Sequence, residues 1–551
     1  MNKIVFISDF FVDEINGGAE RCNDALIHML SKDFDVLKIK SAVVNINFVD
    51  ENKDCFFIIA NFFLLNEQVK SYISKNIKYI IYEHDHKYLI NNNPLKFKNF
   101  FAPENKIINK TFFSNAQNVI CQSKMHSEIV YKNLLLTNII NAGGNFWSDE
   151  DLKTLENCID SQKEIQYACM NTSNPNKGTY KSIEYCQNNN FELTPLDPQP
   201  FESFINTLSK VKNFIFFPQW VESYSRVAVE AKILGCRIIT NGFLGVSSED
   251  YFSLRGRELL SKIKHNNKIL IEKIKSVITG QKVESNFSFK QIPKITISCS
   301  VYDGDLYIEK FLEDITKQTI FNKCELIIVN ANSPGNEDEI INKYVQKYDN
   351  IIYKKLDYRA STTEVINMVI DELATGEFVT IGNIDDRRSN DCLEVQARYL
   401  MFNPDVELVY GDCLQTEVVN ETFESNSSNN KYQHSLNYFS RENMIKCLPG
   451  PMPMWRLSIH KDVGLFSENY DFANDWDMWL RMVDYGVKFK KIDKDIGLYY
   501  FNPTGRSTSK ENFSLKIKEE AEIFFKYKHI FGDANFNKYK NYFSQGITNE
   551  R

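Results

Sequence analysis

Short apolar runs alternate with amphipathic stretches along the whole chain. The first run, Lys3–Ser8, leads through Gly17 and Gly18 into a helical stretch from Ala19 to Leu30. Short apolar runs separated by helix-like segments are typical of parallel sheets that are covered by helices on both faces. The other runs of the first half are Cys55–Ala60, Tyr79–Tyr82, Asn118–Cys121, Ile165–Cys169, Asn213–Phe217 and Arg237–Thr240.

The same alternation starts afresh in the second half. A Lys-rich helix is predicted over Leu259–Thr279, and a polar stretch without periodicity follows it, which we interpret as a linker. The amphipathic stretch Lys510–Phe531 predicts a closing helix. Between them the pattern predicts strands at Ile295–Tyr302, Glu325–Asn330, Ile351–Leu356 and Phe378–Ile384, and helices at Tyr307–Gln318, Glu337–Tyr348 and Ser361–Leu373. The sequence therefore predicts an α/β protein with two independent halves.

Composition excludes several classes of protein. Of the 551 residues, 43% are hydrophobic, which is enough apolar surface to exclude a disordered chain. The formal net charge is −7, so no basic excess favours a nucleic-acid partner. The 12 cysteines are scattered without a C-x-x-C pair, which argues against a zinc or redox motif and favours a reducing cytosol.

The apolar runs are too short for a signal peptide or a membrane span. The longest, Cys55–Leu65, falls well below the roughly 20 residues that cross a bilayer. We therefore expect a cytoplasmic protein without a transmembrane segment, for which peripheral membrane contact stays open.

Two features of the first half could bind a phosphorylated sugar. Gly17 and Gly18 lie between a strand and a helix, where free amides can hold an anion; a simple tight turn is the alternative. Glu222 and Glu230 flank the start of another predicted helix, with Ser223 as its expected N-cap. Carboxylates there can accept hydrogen bonds from sugar hydroxyls. The alternative is that Glu222 only complements the helix dipole and that Glu230 is a solvated helix residue.

These residues, together with Asn174-Pro175-Asn176-Lys177-Gly178, resemble the family-4 retaining glycosyltransferases of GT-B fold over about residues 1–280. The resemblance implies a pair of Rossmann-type domains that bind a nucleotide sugar, with Gly17 and Gly18 in the site. It implies that Glu230 binds the ribose, Glu222 the donor sugar at the catalytic centre, and Lys177 the diphosphate. The family usually has an Arg shortly before that Lys, where this chain has Asn171 and Thr172.

Two histidines, His84 and His86, follow a predicted strand of the first half. They could ligate a metal, but the sequence shows no third ligand nearby. The corresponding loop faces the cleft in the family that the first half resembles, which makes both residues candidates for acceptor contact, with a structural role as the alternative.

Acidic residues mark the second half. Asp385 and Asp386 follow a buried strand, where carboxylates suit Mg²⁺ or Mn²⁺; an Asp pair that caps the next helix is the alternative. Asp475 begins a predicted helix and could take a proton from an attacking hydroxyl. An acid favoured by the helix macrodipole is the alternative interpretation.

The second half resembles the family-2 inverting glycosyltransferases of GT-A fold over about residues 292–505. The motifs that carry the resemblance are Ser298–Tyr302, Glu325–Ser333, Ala374–Glu377, the Asp385 and Asp475 regions and Tyr499–Gly505. It implies that Ser300, Asn330 and Asn332 line the nucleotide pocket, that Asp385 holds the metal ion and the diphosphate, and that Asp475 is the base.

The second half departs from that family at two points. Asn383 replaces the first acid of the usual Asp-x-Asp motif, for which Asp386 could compensate, and Ala331 stands where an acid usually contacts the base of the nucleotide. Trp455 is a candidate for stacking on the acceptor sugar, or a core residue.

We therefore predict a GT-B-like pair of Rossmann-type domains followed by a GT-A-like domain. The predicted boundaries are 1–145, 146–280, a linker at 281–293, 294–510 and a helical tail at 511–551. The function predicted is a bifunctional glycosyltransferase that moves sugars from nucleotide-sugar donors to a glycan, lipid-linked or protein acceptor. The alternatives are a single inverting activity with an acceptor-binding first half, a non-catalytic carbohydrate-binding protein and, more weakly, a Rossmann oxidoreductase.

Overall fold

The computed structural model shows two compact units, Met1–Lys290 and Gln291–Arg551. It describes residues 3–15, 17–281, 283, 287, 290–433, 437–503, 505 and 508–548. The predicted linker over residues 281–293 includes residues 282, 284–286, 288 and 289, which lie outside this described part, as does Thr504 of the late motif. Among the described residues, no helix is both long and apolar enough to cross a lipid bilayer.

The first unit begins with a six-stranded parallel sheet in the order β2-β1-β3-β4-β5-β6. Its central strands β3 and β4 are buried on both faces and hydrophobic except for Glu83 at the end of β4, as is typical of parallel sheets between helices. The strands are β1 Lys3–Ser8, β2 Asp35–Lys40, β3 Phe56–Ile59, β4 Tyr79–Glu83, β5 Asn118–Cys121 and β6 Ile139–Asn141. The helices are α1 Gly18–Leu30, α2 Ile46–Glu51, α3 Glu67–Asn76, α4 Lys110–Ser114 and α5 Lys124–Leu134.

A second parallel sheet completes this unit, in the order β10-β9-β7-β8. Its strands are β7 Ile165–Met170, β8 Thr194–Leu196, β9 Val211–Phe216 and β10 Arg237–Thr240. Its helices are α6 Asp149–Cys158, α7 Thr179–Asn188, α8 Phe201–Ser209, α9 Arg226–Ile233 and α10 Gly256–Ile278. The long helix α10 ties the two sheets together, because Leu259 and Ile263 pack in the core of the second sheet and Leu270 and Ile274 in that of the first.

The second unit is built on one mixed sheet of eight strands, in the order β13-β12-β11-β14-β17-β16-β18-β15. The strands are β11 Ile295–Val301, β12 Cys324–Asn330, β13 Ile351–Lys355, β14 Phe378–Ile381, β15 Arg387–Arg388, β16 Leu408–Thr416, β17 Met454–Arg456 and β18 Phe489–Tyr500. The helices are α11 Ile308–Ile315, α12 Glu337–Val345, α13 Thr362–Met368, α14 Cys392–Phe402, α15 His460–Val463, α16 Asn474–Tyr485, α17 Phe513–Lys526 and α18 Lys528–Thr548. Strands β11 to β14 are parallel, whereas β17 runs antiparallel to both of its neighbours.

The structure confirms the predicted strands and corrects several boundaries. The strand predicted to reach Ile384 ends at Ile381, and the residues that follow it form part of a cavity wall. The predicted closing helix Lys510–Phe531 is interrupted at Tyr527, which separates α17 from α18. The helix expected to begin after Ser223 begins after Ser225 instead.

We expect Gly178→Ala to destabilise the protein more than Gly242→Ala. Both glycines have a left-handed backbone, with φ of 67° and 83°, so a side chain adds strain of about 1–2 kcal/mol at either position. At Gly178 the new Cβ would also lie 1.8 Å from the carbonyl oxygen of Phe217, whereas nothing lies within 4 Å at Gly242. Overpacking adds about 1–3 kcal/mol, so the free energy of unfolding in denaturant should fall further for Gly178→Ala. Equal losses in the two variants would contradict this account.

Candidate functional site

The first unit contains a cavity of about 400 Å³ at the carboxyl ends of its parallel strands, where ligands of α/β proteins bind. The structure brings together in its wall the five residues predicted for the nucleotide sugar, which follow β1, β7 and β9 in the chain. These are Gly17, Gly18, Lys177, Glu222 and Glu230.

An ion pair joins two of these residues. The Nζ atom of Lys177 lies 2.8 Å from Oε1 of Glu222. Burial lowers the pKa of Lys177, but the Glu222 carboxylate outweighs burial, so the pKa stays above its usual value. Lys177 is therefore a cation at neutral pH and shares its charge with Glu222.

Glu230 belongs to a buried network on α9. Its Oε1 accepts a hydrogen bond from Nε1 of Trp147 at 3.1 Å and one from Nε of Arg226 at 3.4 Å. Arg226 also donates to Asp151 at 2.9 Å, and Asp151 is paired with Arg21 as well. Burial raises the pKa of Glu230, and Arg226 opposes that shift. The network fixes the orientation of the Glu230 carboxylate.

Sequence reasoning missed both arginines of this network. The spacing of Arg226 and Glu230, four residues apart on one helix, was a signal that could have identified the first of them. The Arg21–Asp151 pair gives no such signal, because the two residues are 130 positions apart in the chain.

Ser225 is a further residue that the sequence analysis did not identify. It stands at the N-cap of α9 with a φ of 82°, a conformation that strains a residue with a side chain, and it is 7% exposed. Its Oγ atom has no hydrogen-bond partner in the described structure, and the residue lines the cavity. No side chain caps α9, so its first amides are available to an anion.

The structure places the two histidines in different surroundings. His84 lines the cavity, but its nitrogens are engaged with Asn23 and Gln122, both at 2.7 Å. Burial lowers the pKa of His84 to about 3, so the ring is neutral. His86 is fully buried, bonds to the Tyr88 hydroxyl at 2.9 Å and is not part of the cavity wall. His84 is therefore a neutral ring in the cavity wall, whereas His86 serves the packing below the cavity.

The second unit contains its own cavity of about 590 Å³. Four of the predicted site residues line it, namely Ser300, Asp385, Asp386 and Asp475. Ser300 lies on β11, the two adjacent acids follow β14, and Asp475 lies in the first turn of α16. Residues that are far apart in the chain, at the carboxyl ends of strands and at the start of a helix, thus line the same cavity.

The predicted nucleotide contacts of two asparagines are not supported. Asn330 is buried, and its amide bonds to Asp338, Tyr353 and the backbone N–H of Ser333. Asn332 has a left-handed backbone and donates to the carbonyl of Asp357 at 3.3 Å. Neither residue is among those that line the cavity. These side chains shape the loop after β12 instead.

Asp385 and Asp386 differ in their surroundings. The two oxygens of buried Asp386 accept hydrogen bonds from the Tyr500 backbone N–H at 3.1 Å and from the Asn383 amide at 3.0 Å. Burial and the adjacent Asp385 carboxylate raise the pKa of Asp386. Asp385 is half-buried and faces the cavity.

These two acids suit a hard divalent cation that is held by one or two carboxylates and a ligand's phosphates. In the described residues, no group of three acidic, histidine or cysteine side chains forms a complete metal cage. Asp385 is thus the residue that could ligate a cation, and Asp386 is held in place beside it.

Asp475 is a buried carboxylate whose hydrogen-bond donors are neutral. Its Oδ2 accepts a hydrogen bond from the Cys447 thiol at 3.3 Å, and its Oδ1 accepts one from the Trp476 backbone N–H at 2.7 Å. Burial raises the pKa of Asp475, and these neutral donors only partly oppose the shift. A carboxylate with a raised pKa takes up a proton more readily than an exposed one.

Two neighbouring residues are structural. Asp477 is 1% exposed and bonded to Arg481, Lys526 and Tyr527, which leaves it no access to a substrate. The proposed stacking of an acceptor on Trp455 is wrong, because Trp455 is fully buried. Its indole N–H bonds to His460, and its ring packs against Trp479 at 5.1 Å.

The glycosyl transferase family 2 model matches residues 297–464 of the chain. An uncharacterized glycosyltransferase of Methanocaldococcus jannaschii is 24% identical over 234 residues, which cover 41% of this chain and 76% of that protein. The minor teichoic acid biosynthesis protein GgaB of Bacillus subtilis is 42% identical over 57 residues, which cover 10% of this chain and 6% of that protein.

A solved structure of S. aureus TarS residues 1–349 in complex with UDP-GlcNAc overlaps 44% of this chain and 73% of that chain, at 17% identity and a TM-score of 0.36. An overlap at this TM-score does not define a shared function. The activity follows from the family match: residues 297–464 form a family-2 glycosyltransferase domain, so the chain is a glycosyltransferase.

Proposed function

We propose that the chain is a bifunctional glycosyltransferase that adds sugars from nucleotide-sugar donors to a growing glycan. In this proposal the second unit is a GT-A-like transferase that inverts the configuration of the sugar. The first unit is a GT-B-like transferase that retains it, with Rossmann-type domains at 1–145 and 146–280. The observation that carries the proposal is that Asp385 and Asp475 line one cavity of the second unit.

The two acids divide the chemistry of the second unit between them. An acceptor hydroxyl attacks the anomeric carbon on the face opposite the nucleoside diphosphate, while the bond from that carbon to the diphosphate oxygen breaks. The hydroxyl proton moves to the carboxylate of Asp475, and the nucleoside diphosphate leaves. One such displacement inverts the configuration of the sugar.

A divalent cation, Mg²⁺ or Mn²⁺, supplies charge neutralisation for the diphosphate when it is bound. Asp385 would hold it with a carboxylate oxygen. Asp386 supports that position, because the hydrogen bond from Asn383 closes the loop after β14 and the bond from Tyr500 ties that loop to β18. Ser300, at the end of β11, lies on the same wall and is the candidate for contact with the nucleotide.

The first unit presents a phosphate-binding arrangement. The uncapped start of α9, the unpartnered hydroxyl of Ser225 and the cation of Lys177 face one cavity, which Gly17 and Gly18 also line. Backbone amides and a lysine can share the charge of a diphosphate. In the proposed donor complex Glu230 binds the ribose and Glu222 the sugar.

The acceptor is proposed to be a polysaccharide or a lipid-linked glycan of the cell envelope. This rests on the short segment that is similar to GgaB, whose name assigns that protein to minor teichoic acid biosynthesis. A glycan that carries two sugar types in alternation would use both units.

A second candidate function is favoured by the ion pairs of the first unit. Glu222 is paired with Lys177, and Glu230 with Arg226, so each predicted donor-binding carboxylate already has a cation. A cavity in which these charges compensate one another suits a neutral glycan better than a diphosphate. In this alternative the first unit binds the acceptor, and only the second unit transfers a sugar.

We expect Asp475→Asn to abolish transfer by the second unit without loss of folding. An amide cannot take the proton of the acceptor hydroxyl, and loss of a general base costs about 10²–10⁴-fold in rate. Nucleoside diphosphate release with acceptor present measures the rate. The matched control is Asp477→Asn, two residues further on. This variant should lower the melting temperature, because it weakens the bonds to Arg481, Lys526 and Tyr527. It should reduce the rate of transfer far less than Asp475→Asn does. A rate near wild type for Asp475→Asn would show that the base lies elsewhere.

Removal of divalent cations should stop the second transfer and leave the first. Asp385 offers a carboxylate ligand, whereas the first cavity can hold a diphosphate with amides and Lys177. The masses of the glycans made by the full-length protein, with excess chelator and after Mg²⁺ or Mn²⁺ is restored, separate the two transfers. Undiminished activity of the second unit in chelator would contradict the metal assignment.

We expect Glu230→Gln to weaken nucleotide-sugar binding by the first unit by about one to two orders of magnitude. Glutamine keeps the hydrogen bond from Trp147 but loses the charge that strengthens bonds to ribose hydroxyls. Calorimetric titration of the full-length protein measures the affinity, with the exposed Glu258→Gln as control. A product that lacks one of two sugars would support two activities. Unchanged binding and an unchanged product would favour the acceptor-binding alternative.

A further inference from the structure

A buried carboxylate of the C-terminal helix α17 holds the turn that leads into α16. Glu519 is 6% exposed. Its Oε1 accepts a hydrogen bond from the backbone N–H of Asp471 at 2.9 Å, and its Oε2 accepts those of Phe472 at 2.8 Å and Ala473 at 3.1 Å. One side chain thus satisfies three consecutive amides.

These three amides lie directly before α16 and include that of its N-cap residue. The N-cap of α16 is Ala473, which has no side-chain oxygen and makes no capping bond. A helix normally receives such a bond from a Ser, Thr, Asp or Asn at its own start. Glu519 instead holds the amide of this N-cap residue and the two amides before it, and its carboxylate lies near the positive end of the helix dipole.

The clamped turn belongs to the catalytic cavity. Asp471 and Phe472 line the same cavity as Asp385 and Asp475, and Asp475 is only two residues beyond Ala473. A second tie follows one turn later, where Asp477 accepts hydrogen bonds from Lys526 at 2.8 Å and Tyr527 at 3.0 Å. The two sets of hydrogen bonds connect the start of α16 to the middle of α17 and to the end of α17.

We propose that Glu519 is a positioning residue for the transfer reaction, because it fixes the backbone at 471–473 and thereby aims Asp475 at the acceptor hydroxyl. This inference rests on the proposed role of Asp475 as the base. It assigns α17, which lies beyond the matched family region, to the catalytic apparatus of the second unit.

The proposal predicts a specific kinetic signature for Glu519→Gln. The amide has one acceptor oxygen in place of two, and its NH₂ group would face backbone donors, so the turn must move. Misplacement of a catalytic group by about 1 Å can cost about 10²-fold in rate. We expect kcat to fall about 10–100-fold, while the KM for the nucleotide sugar changes little, since Asp385 and Ser300 keep their places.

The test is a double-mutant cycle in the full-length protein. Steady-state kcat and KM are measured for Glu519→Gln, Asp475→Asn and the double variant, with Glu522→Gln, on the exposed face of α17, as control. If Glu519 acts through Asp475, the double variant is no slower than Asp475→Asn alone. Should Glu519→Gln fail to fold, Glu519→Asp keeps the charge but withdraws the oxygens by one methylene, and the same fall in kcat is expected.

Three results would overturn the proposal. One is a kcat near wild type for Glu519→Gln while Asp475→Asn is inactive, which leaves the assignment of the base intact. Another is a double variant whose loss is the product of the two single losses. An Asp475→Asn rate near wild type would instead refute the base assignment itself, and this inference with it.

Discussion

Carboxylates held inside the protein dominate the surroundings of both cavities, and each has to be compensated by a donor that the fold brings to it. A buried carboxylate without a partner would be protonated or would destabilise the fold. Asp386 follows a strand, Asp475 lies at the start of a helix, and Glu230 and Glu519 lie within helices. Each of the four accepts a hydrogen bond from a residue outside its own element. The secondary structure elements around the cavities are therefore fixed to one another by their acids.

The kind of donor differs between the two units, and this difference has chemical consequences. In the first unit the partners are cations, Lys177 for Glu222 and Arg226 for Glu230. A nearby cation stabilises the charged form of a carboxylate, and at Glu230 Arg226 opposes the rise in pKa that burial causes. In the second unit Asp475 has a thiol and a backbone N–H as partners. These neutral donors offset the effect of burial only in part, so the pKa of Asp475 stays above its usual value, as the proposed role of a base requires.

The sequence allowed much of the fold to be predicted, because buried parallel strands are uninterrupted apolar runs. Strand β1 has the predicted bounds, and β14 differs only in its end. Strands β2 and β18 were missed because they contain lysines and aspartates at frequent positions, as edge and partly exposed strands do. The hydrophobic pattern identifies strands that are buried on both faces, but it is a weak signal for edge strands and partly exposed strands.

The candidate site was predictable where its residues follow a strand or begin a helix. Asp385, Asp386 and Asp475 stand next to recognisable strand and helix ends, and the structure places all three on one cavity. For Trp455 the sequence left open both a contact with the acceptor and a place in the core. The structure shows the second, because Trp479 and Phe466 pack against its ring. Ser225 carries no signal at all, since its significance comes from a backbone angle and an unpartnered hydroxyl.

The residues that match the family model do not include α16, the helix that carries the proposed base of the second unit. The match ends at residue 464, ten residues before α16 begins. A helix of 12 residues is marginally stable by itself, and α16 lacks its own N-cap. Its support comes from the chain that follows. The ring of Trp476 packs on that of Phe531 in α18, with 6.1 Å between the ring centres. From α17, Glu519 bonds to the turn before α16 and Lys526 bonds to Asp477 in its first turn. Because the amides that Glu519 accepts lie next to the proposed base, the helices that complete the core also determine where that base points.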